Sequence, residues 1–121
     1  MALAVNHPFD EVQVSCSTVD ATTGKTGVTR APFRGVIKKV GSMVGGVLST
    51  ADATVTVSVA GVAVTGGAYV ITSAASAAGT LGSSVPSGAN TCNEDDAISF
   101  AQTGSGTAGG HVTHFAVIRR A

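Results

Sequence analysis

"TADATVTVSVAGVAVTGG", residues 50–67, alternates a hydroxyl residue with valine from Thr54 to Val59, breaks at Ala60-Gly61, and resumes with valine and alanine. Successive side chains of an extended chain point to opposite sides, so strict alternation marks a strand with one buried face. Val55, Val57 and Val59 fall on one side, and Thr54, Thr56 and Ser58 on the other. Ala60-Gly61 reads as a tight hairpin turn with Gly61 taking the positive φ. The only charge in the stretch is Asp52. This strand pair has a valine face and a nearly uncharged hydroxyl face, with no obvious chemistry on either.

The same period recurs along the chain. Val12, Val14 and Cys16 alternate with Gln13, Ser15 and Ser17; Tyr69 and Ile71 alternate with Val70 and Thr72; Ile98 and Phe100 flank Ser99. Phe33 opens a run through Val36, Ile37 and Val40. In "HVTHFAVIRR", residues 111–120, Val112, His114, Ala116 and Ile118 share one face, opposite His111, Thr113, Phe115 and Val117. No window carries helical apolar spacing free of glycine, proline or β-branched clusters. Short β-branched strands separated by Gly/Ser/Ala/Thr loops predict an all-β fold, an antiparallel β-sandwich of about six to eight strands. The low-complexity stretch 73–89 predicts a short strand near Thr80 to Val85, with a surface loop as the alternative. The closing strand is apolar on both sides at its middle, so Phe115, Ala116 and Val117 are expected to be covered at a subunit interface.

A length of 121 residues fits a single domain, and 44% apolar residues suffice for one core. With 4% aromatics and no Trp, that core must be built from Val, Ala, Ile and Leu. Residues 1–9, "MALAVNHPF", are apolar for a terminus and read as an N-terminal arm ahead of a sandwich domain over residues 10–121. Fully extended, the arm reaches roughly 30 Å, enough to lie on a neighbour. Seven basic and seven acidic residues give zero formal charge. The surplus of Lys and Arg that grips nucleic acid is therefore missing, apart from one spot at Lys38-Lys39. No apolar run reaches the about 20 residues of a membrane-spanning helix. The N-terminus lacks a secretory pattern, so synthesis and use without export are expected. Cys16 and Cys92 are expected to be buried thiols rather than a bridge.

The stretches that suggest chemistry each have a plainer reading. "TTGKTG", residues 22–27, contains Gly-Lys-Thr, but a phosphate-binding loop needs glycine where Val19 stands. "NEDD", residues 93–96, lacks calcium-loop spacing and reads as a polar turn into the strand at Ile98. His111 and His114 point to opposite faces of one strand and cannot share a metal within one chain. No serine lies in a nucleophile elbow, and nothing in the spacing joins Cys16 or Cys92 to His114. No enzyme activity, cofactor or metal is expected.

The run "RAPFRGVIKKV", then "TADATVTVSVAGVAV", "GANTCNEDDAISF" and the closing "THFAVIRRA" resemble small tailed-phage virion proteins. These are capsid decoration (head cement) proteins and head-fibre modules, and the likeness covers Arg30 to Arg120. This chain departs from the pattern at Cys92, where the resemblance leads one to expect Val, and at Asp95-Asp96, where it leads one to expect Gly-Asp. The resemblance implies a jelly-roll sandwich, a homotrimer, and a structural role on the capsid surface of a virion assembled in the host cytoplasm. The implied partner is the major capsid protein, with neither nucleic acid nor membrane involved. The docking residues expected on this reading are Ala2, Leu3, Val5, His7 and Phe9 of the arm, with Arg34, Lys38 and Lys39. The alternative is a fibre or adhesin module that recognises a host surface or carbohydrate, for which Tyr69 is the aromatic candidate.

Overall fold

A computed structural model describes residues 11–18, 24–46, 52–72, 79–103 and 111–120. The elements are β1 (Glu11–Thr18), β2 (Thr26–Arg30), β3 (Gly35–Val44), β4 (Ala53–Val59), β5 (Val62–Ile71), β6 (Leu81–Ser84), β7 (Thr91–Cys92), β8 (Ala97–Thr103) and β9 (Val112–Arg120). One sheet runs β1-β9-β3-β6, with β7 also pairing with β3; the other runs β2-β8-β4-β5. Every pairing is antiparallel. With the short β7 set aside, this is the strand order of a jelly roll, two Greek keys folded face to face. The fold class read from the alternation is therefore the observed one, and the strand expected near Thr80 to Val85 is β6.

The alternation places the core as expected. Val55, Val57 and Val59 of β4 face Ile37, Val40, Ala116 and Ile118 of the opposite sheet, and all are buried. Phe100 of β8 is the one phenylalanine among the largest fully buried side chains. The expectation for Ala116 is corrected here. It is 0% exposed because it pairs with Val14 and Val40 on the inner face, so it fills the core and lines no subunit interface. Phe115 and Val117 do face outward, half-buried. The Phe115 ring lies over Gly41, where an added Cβ would come within 2.5 Å of it. Part of its cover is thus its own chain.

Two irregularities shape the surface. The β3–β9 register shifts between Ile37 and Lys39, so Lys38 is an extra residue. The bulge keeps Lys38 and Lys39 both exposed while Ile37 and Val40 both point inward. Without it, strict alternation after Ile37 would turn Lys39 into the core. The β4–β5 hairpin turns on Ala60 and Gly61, with φ of 49° and 85°. Both residues take positive φ, as the two-residue turn that matches strand twist requires.

A chain of polar side chains crosses the interior between the sheets. Tyr69 Oη lies 2.5 Å from Ser42 Oγ, Ser42 Oγ lies 2.6 Å from His114 Nδ1, and His114 Nε2 lies 3.0 Å from Gln102 Oε1. The Thr18 hydroxyl donates to the same Gln102 oxygen at 2.6 Å. A carboxamide oxygen only accepts, so the imidazole donates from Nε2. Nδ1 then accepts from Ser42, whose oxygen accepts from Tyr69. Among the described residues every buried side-chain polar atom has a partner. Phe100 stacks on the imidazole at 5.2 Å between centroids and 11° between planes.

Burial pushes the His114 imidazole down from its ordinary 6.5 to about 4. The unfolded chain therefore takes up a proton near pH 6.5 that the folded chain refuses until about pH 4. The stability held above pH 6.5 is lost as pH falls through that window. With some screening from water at the half-exposed Thr18 end, the loss is about 2 kcal/mol. Urea midpoints at pH 7 and pH 4.5 check this: the parent should drop, and His114→Gln should show a flatter profile between the two. Equal slopes in both would remove His114 as the cause.

Candidate functional site

The charged residues gather at one end of the sandwich, where β3 begins and β9 ends. Gly35 pairs with Arg120 and Cys92, Val36 with Arg119, and Arg30 with Ala97. Of the seven Lys and Arg residues, Arg30, Arg34, Arg119 and Arg120 sit at this pole, Lys38 and Lys39 follow along β3 as far as the third rung in, and Lys25 lies elsewhere. The turn at residues 93–96 adds carboxylates. Asp96 accepts from the Asn93 backbone at 2.8 Å, and the Asp95 backbone donates to Ala31 at 2.9 Å. The "NEDD" stretch is thus the polar turn read from the sequence, with Asp95 at φ 71°.

Part of this charge is neutralised locally. Arg30 lies 3.9 Å from Asp95 and Arg119 lies 3.7 Å from Glu11. Both pairs are exposed and add little stability. The Arg120 guanidinium sits 4.1 Å from the centre of the Phe33 ring, a cation–π contact that anchors the half-buried Phe33 over the strand ends. Arg34, Lys38 and Lys39 are exposed, and no described carboxylate pairs with them. They form the open basic part of the pole.

The residues expected to dock are therefore partly brought together. Arg34, Lys38 and Lys39 share one pole, and Glu11, the first described residue, enters at the same pole beside Arg119. Ala2, Leu3, Val5, His7 and Phe9 lie outside the described residues. Tyr69, the aromatic candidate for carbohydrate recognition, is only 6% exposed and bonded to Ser42. It cannot present a stacking face, because its strand turns it inward opposite Val55.

Sequence reasoning missed the Ser42–His114 pair, whose partners lie far apart in the chain. A serine 2.6 Å from an imidazole resembles a nucleophile and its base, yet both residues are 0% exposed and roofed by Phe100 and Tyr69. A substrate carbonyl cannot reach that oxygen in this fold, so the pair serves the core. Cys16 sits opposite His114 in register, and burial pushes its thiol up to about 11, which removes thiolate character at neutral pH. Cys92 is a free buried thiol that donates to the Gly35 carbonyl at 3.6 Å. Among the described residues no group of three or more His, Cys, Asp or Glu converges as a metal site, and no helix is long and apolar enough to cross a membrane.

No protein-family model matches this chain, and no curated protein does. Solved structures do resemble it. A chain in the acidic stable capsid structure of Helicobacter pylori bacteriophage KHP30 superposes with a TM-score of 0.58 at 13% identity, over 90% of this chain and 86% of that one. A chain of the cyanophage Pam1 capsid asymmetric unit gives 0.57 at 15% identity, over 100% and 94%. The CBM36-1 domain of a multidomain xylanase from the hindgut metagenome of Trinervitermes trinervoides gives 0.47 at 12% identity, over 93% and 98%. That last score is too low to argue from. At such identities the likeness to the two phage capsid chains is one of fold.

Because Arg34, Lys38 and Lys39 are exposed and bear on no core contact, reversing their charge should leave the fold intact. The triple variant Arg34→Glu, Lys38→Glu, Lys39→Glu should unfold within about 1 kcal/mol of the parent in urea. A larger loss would mean that the pole is built for stability rather than left free for contact.

Proposed function

We propose that this chain is a structural virion protein of a tailed phage, a trimeric decoration protein that binds the outside of the head and braces adjoining capsid subunits. The observation that carries the reading is the pole: a jelly roll otherwise poor in charge gathers most of its cations toward the end where β1 begins. The fold likeness to chains of two phage capsids supports the class of protein. The sequence resemblance over Arg30 to Arg120 supports the decoration role.

On this reading the partner is an acidic patch on the major capsid protein. Arg34, Lys38 and Lys39 steer and orient the encounter. The apolar arm, Ala2 to Phe9, adds contact area, either in a groove or along an open strand edge of the shell. Each contact is small, and three arms engaged together gain avidity without any further contact. No residue need react, since function here is area and charge.

The fibre or adhesin reading predicts an exposed aromatic platform. Tyr69 does not supply one, and the other described aromatics do not replace it. Phe33 lies under Arg120, Phe100 is buried, and Phe115 lies over Gly41.

The experiment is to mix the purified chain with empty shells of the phage that encodes it, then measure occupancy by sedimentation and the shell's melting temperature. The parent should load the shells and raise their melting temperature. Loading should weaken as salt rises from 50 to 500 mM. The triple charge reversal should lose at least tenfold in affinity, and deletion of residues 2–9 should abolish loading while the chain stays folded. Full loading by both variants would reject this docking surface, and no loading by the parent would reject the decoration role.

A further inference from the structure

The two sheets end on four strands, β1 and β6 of one and β2 and β5 of the other. Three of these edges are short or occupied. β6 has four residues and β2 has five. β5 is crossed at Thr65, whose N–H donates to Gly88 and whose carbonyl accepts from Ser87, both at 2.9 Å. β1 differs: its eight residues run in unbroken register with β9. Charge, proline and bulges are what keep exposed edges from pairing, and past Glu11 β1 has none of them.

The ladder shows which of its groups are open. Gly45 donates to the His111 carbonyl at 2.8 Å, and Val44 to Thr80 at 3.1 Å. Odd-numbered residues of β9 therefore bond to β3, and even-numbered ones to β1. In the β1–β9 register those even-numbered residues sit opposite Val12, Val14 and Cys16. Gln13, Ser15 and Ser17 thus turn N–H and C=O to the open side, where no described residue bonds to them. The inner layer is unfinished at the same place. Val12, Val14 and Cys16 are half-buried, whereas the inward residues of β9 are buried. A Cβ added to Gly27 would lie 2.9 Å from the Cys16 sulfur, so β2 closes the gap between the sheets there. A covering strand must extend the sheet.

We infer that residues 2–7 of a neighbouring copy extend this sheet, antiparallel to β1. The inference deepens the proposed trimer and rests on it only for the number of copies. It concerns the chain before it meets a shell, and the arm's contact with the shell stands as proposed above. The segment fits in direction, length and pattern. It joins the fold at Glu11, the pole end of β1, so in copies whose poles point alike it runs antiparallel to the next copy's β1. Pro8 has no N–H and ends the pairing, which leaves Pro8 to Asp10, roughly 10 Å of chain, to cross between copies. With Pro8 level with Glu11, Val5 falls beside Val14 and Leu3 beside Cys16, completing the half-buried layer. Ala2, Ala4 and Asn6 then bond to Ser17, Ser15 and Gln13. No charged side chain lies in either segment past Glu11, so the pairing desolvates no carboxylate, Lys or Arg. The arm's own β1 is a poorer partner. The chain would reverse over Phe9-Asp10, and a two-residue hairpin needs positive φ that a bulky Phe resists. Each copy gives one arm and receives one, a head-to-tail contact that closes into a ring with every pole on one side.

The test uses the full chain without shells. In sedimentation velocity over a hundredfold concentration range the parent should reach three times its single-chain mass of 11.8 kDa. Ser15→Pro removes an N–H that makes no bond to β9, so the fold should persist while association weakens at least tenfold. Gln13→Pro repeats the measurement if Ser15→Pro loses its far-ultraviolet strand signal. Val5→Cys with Val14→Cys, in a Cys16→Ser chain, puts two thiols on a pair whose Cα atoms are about 4.5 Å apart, within disulfide reach. On oxidation this chain should give covalent trimers in a non-reducing gel. A parent that stays single at every concentration overturns the inference. So do proline variants that associate like the parent, and so does a disulfide that closes within one chain or fails to form. Shell loading is read separately. Arm-linked trimers that do not load shells reject the decoration reading alone, and loading with unlinked arms rejects this inference alone.

Discussion

The polar chain from Tyr69 through Ser42 and His114 to Gln102 and Thr18 is the constraint on which the rest of this sandwich depends. The remainder of the core is Val, Ile and Ala with one Phe and Cys92, mostly residues of similar shape repeating at every second position. A two-residue slip of a strand such as β4 would exchange valine for valine and leave the apolar match nearly unchanged. The slip that flips faces is already forbidden by hydrophobicity, but the two-residue slip is not. The network forbids it for the strands that carry its members, β1, β3, β5, β8 and β9. Moving β9 by one rung separates His114 from both Ser42 and Gln102, and each orphaned buried group costs about 1–3 kcal/mol. Three of its members come from one sheet's β1, β3 and β9, and two from the other sheet's β5 and β8. The network therefore fixes the stagger between sheets as well as the register within them.

This use of polar groups inside leaves the outside free to specialise. With the ionisable His114 held neutral and Cys16 held as a thiol, the described interior residues carry no charge and offer no accessible nucleophile. The exterior then divides into a pole rich in cations, one sheet face with scattered charges, and one with almost none. The bulge at Lys38 is the local device for this division, because it places two consecutive lysines in solvent without spoiling the inward alternation of β3. Gly41 is another: by omitting a side chain it lets Phe115 lie flat, so the outer face of the charged sheet does not carry a free-standing ring.

Much of this was legible in the residues, and what was not has identifiable physical causes. The period-two runs gave the strands and their inward faces, including Val112, His114, Ala116 and Ile118 on one side of β9. The mistake about Ala116 came from treating the middle of that strand as apolar on both sides. Its own face had already been assigned by its neighbours Val14 and Val40, which sequence alone does not reveal. The bulge was not legible: Val36 and Val40 share parity in the sequence, and only the register shift shows that Ile37 and Val40 both face inward. Tyr69 was the candidate of the alternative reading because the lone tyrosine of a hydroxyl-rich chain looks like a binding handle. Its phenol is instead matched to Ser42, a residue 27 positions away. Contacts of that range follow from the jelly-roll order β1-β9-β3-β6 over β2-β8-β4-β5, which no local pattern encodes.

The perpendicular arrangement of pole and neutral face limits how copies can assemble. If neutral faces turn inward around an axis parallel to the strands, every pole points the same way. An axis perpendicular to the strands would instead alternate the poles and leave half of them pointing away from any surface beneath. A molecule that must present several weak, cationic contacts to one curved substrate needs the first arrangement. The sandwich is compatible with it, because strand ends and sheet faces are orthogonal by construction. Sorting charge to the strand ends and hydroxyls to one face is then enough to specify polarity without a pocket, a metal or a reactive side chain.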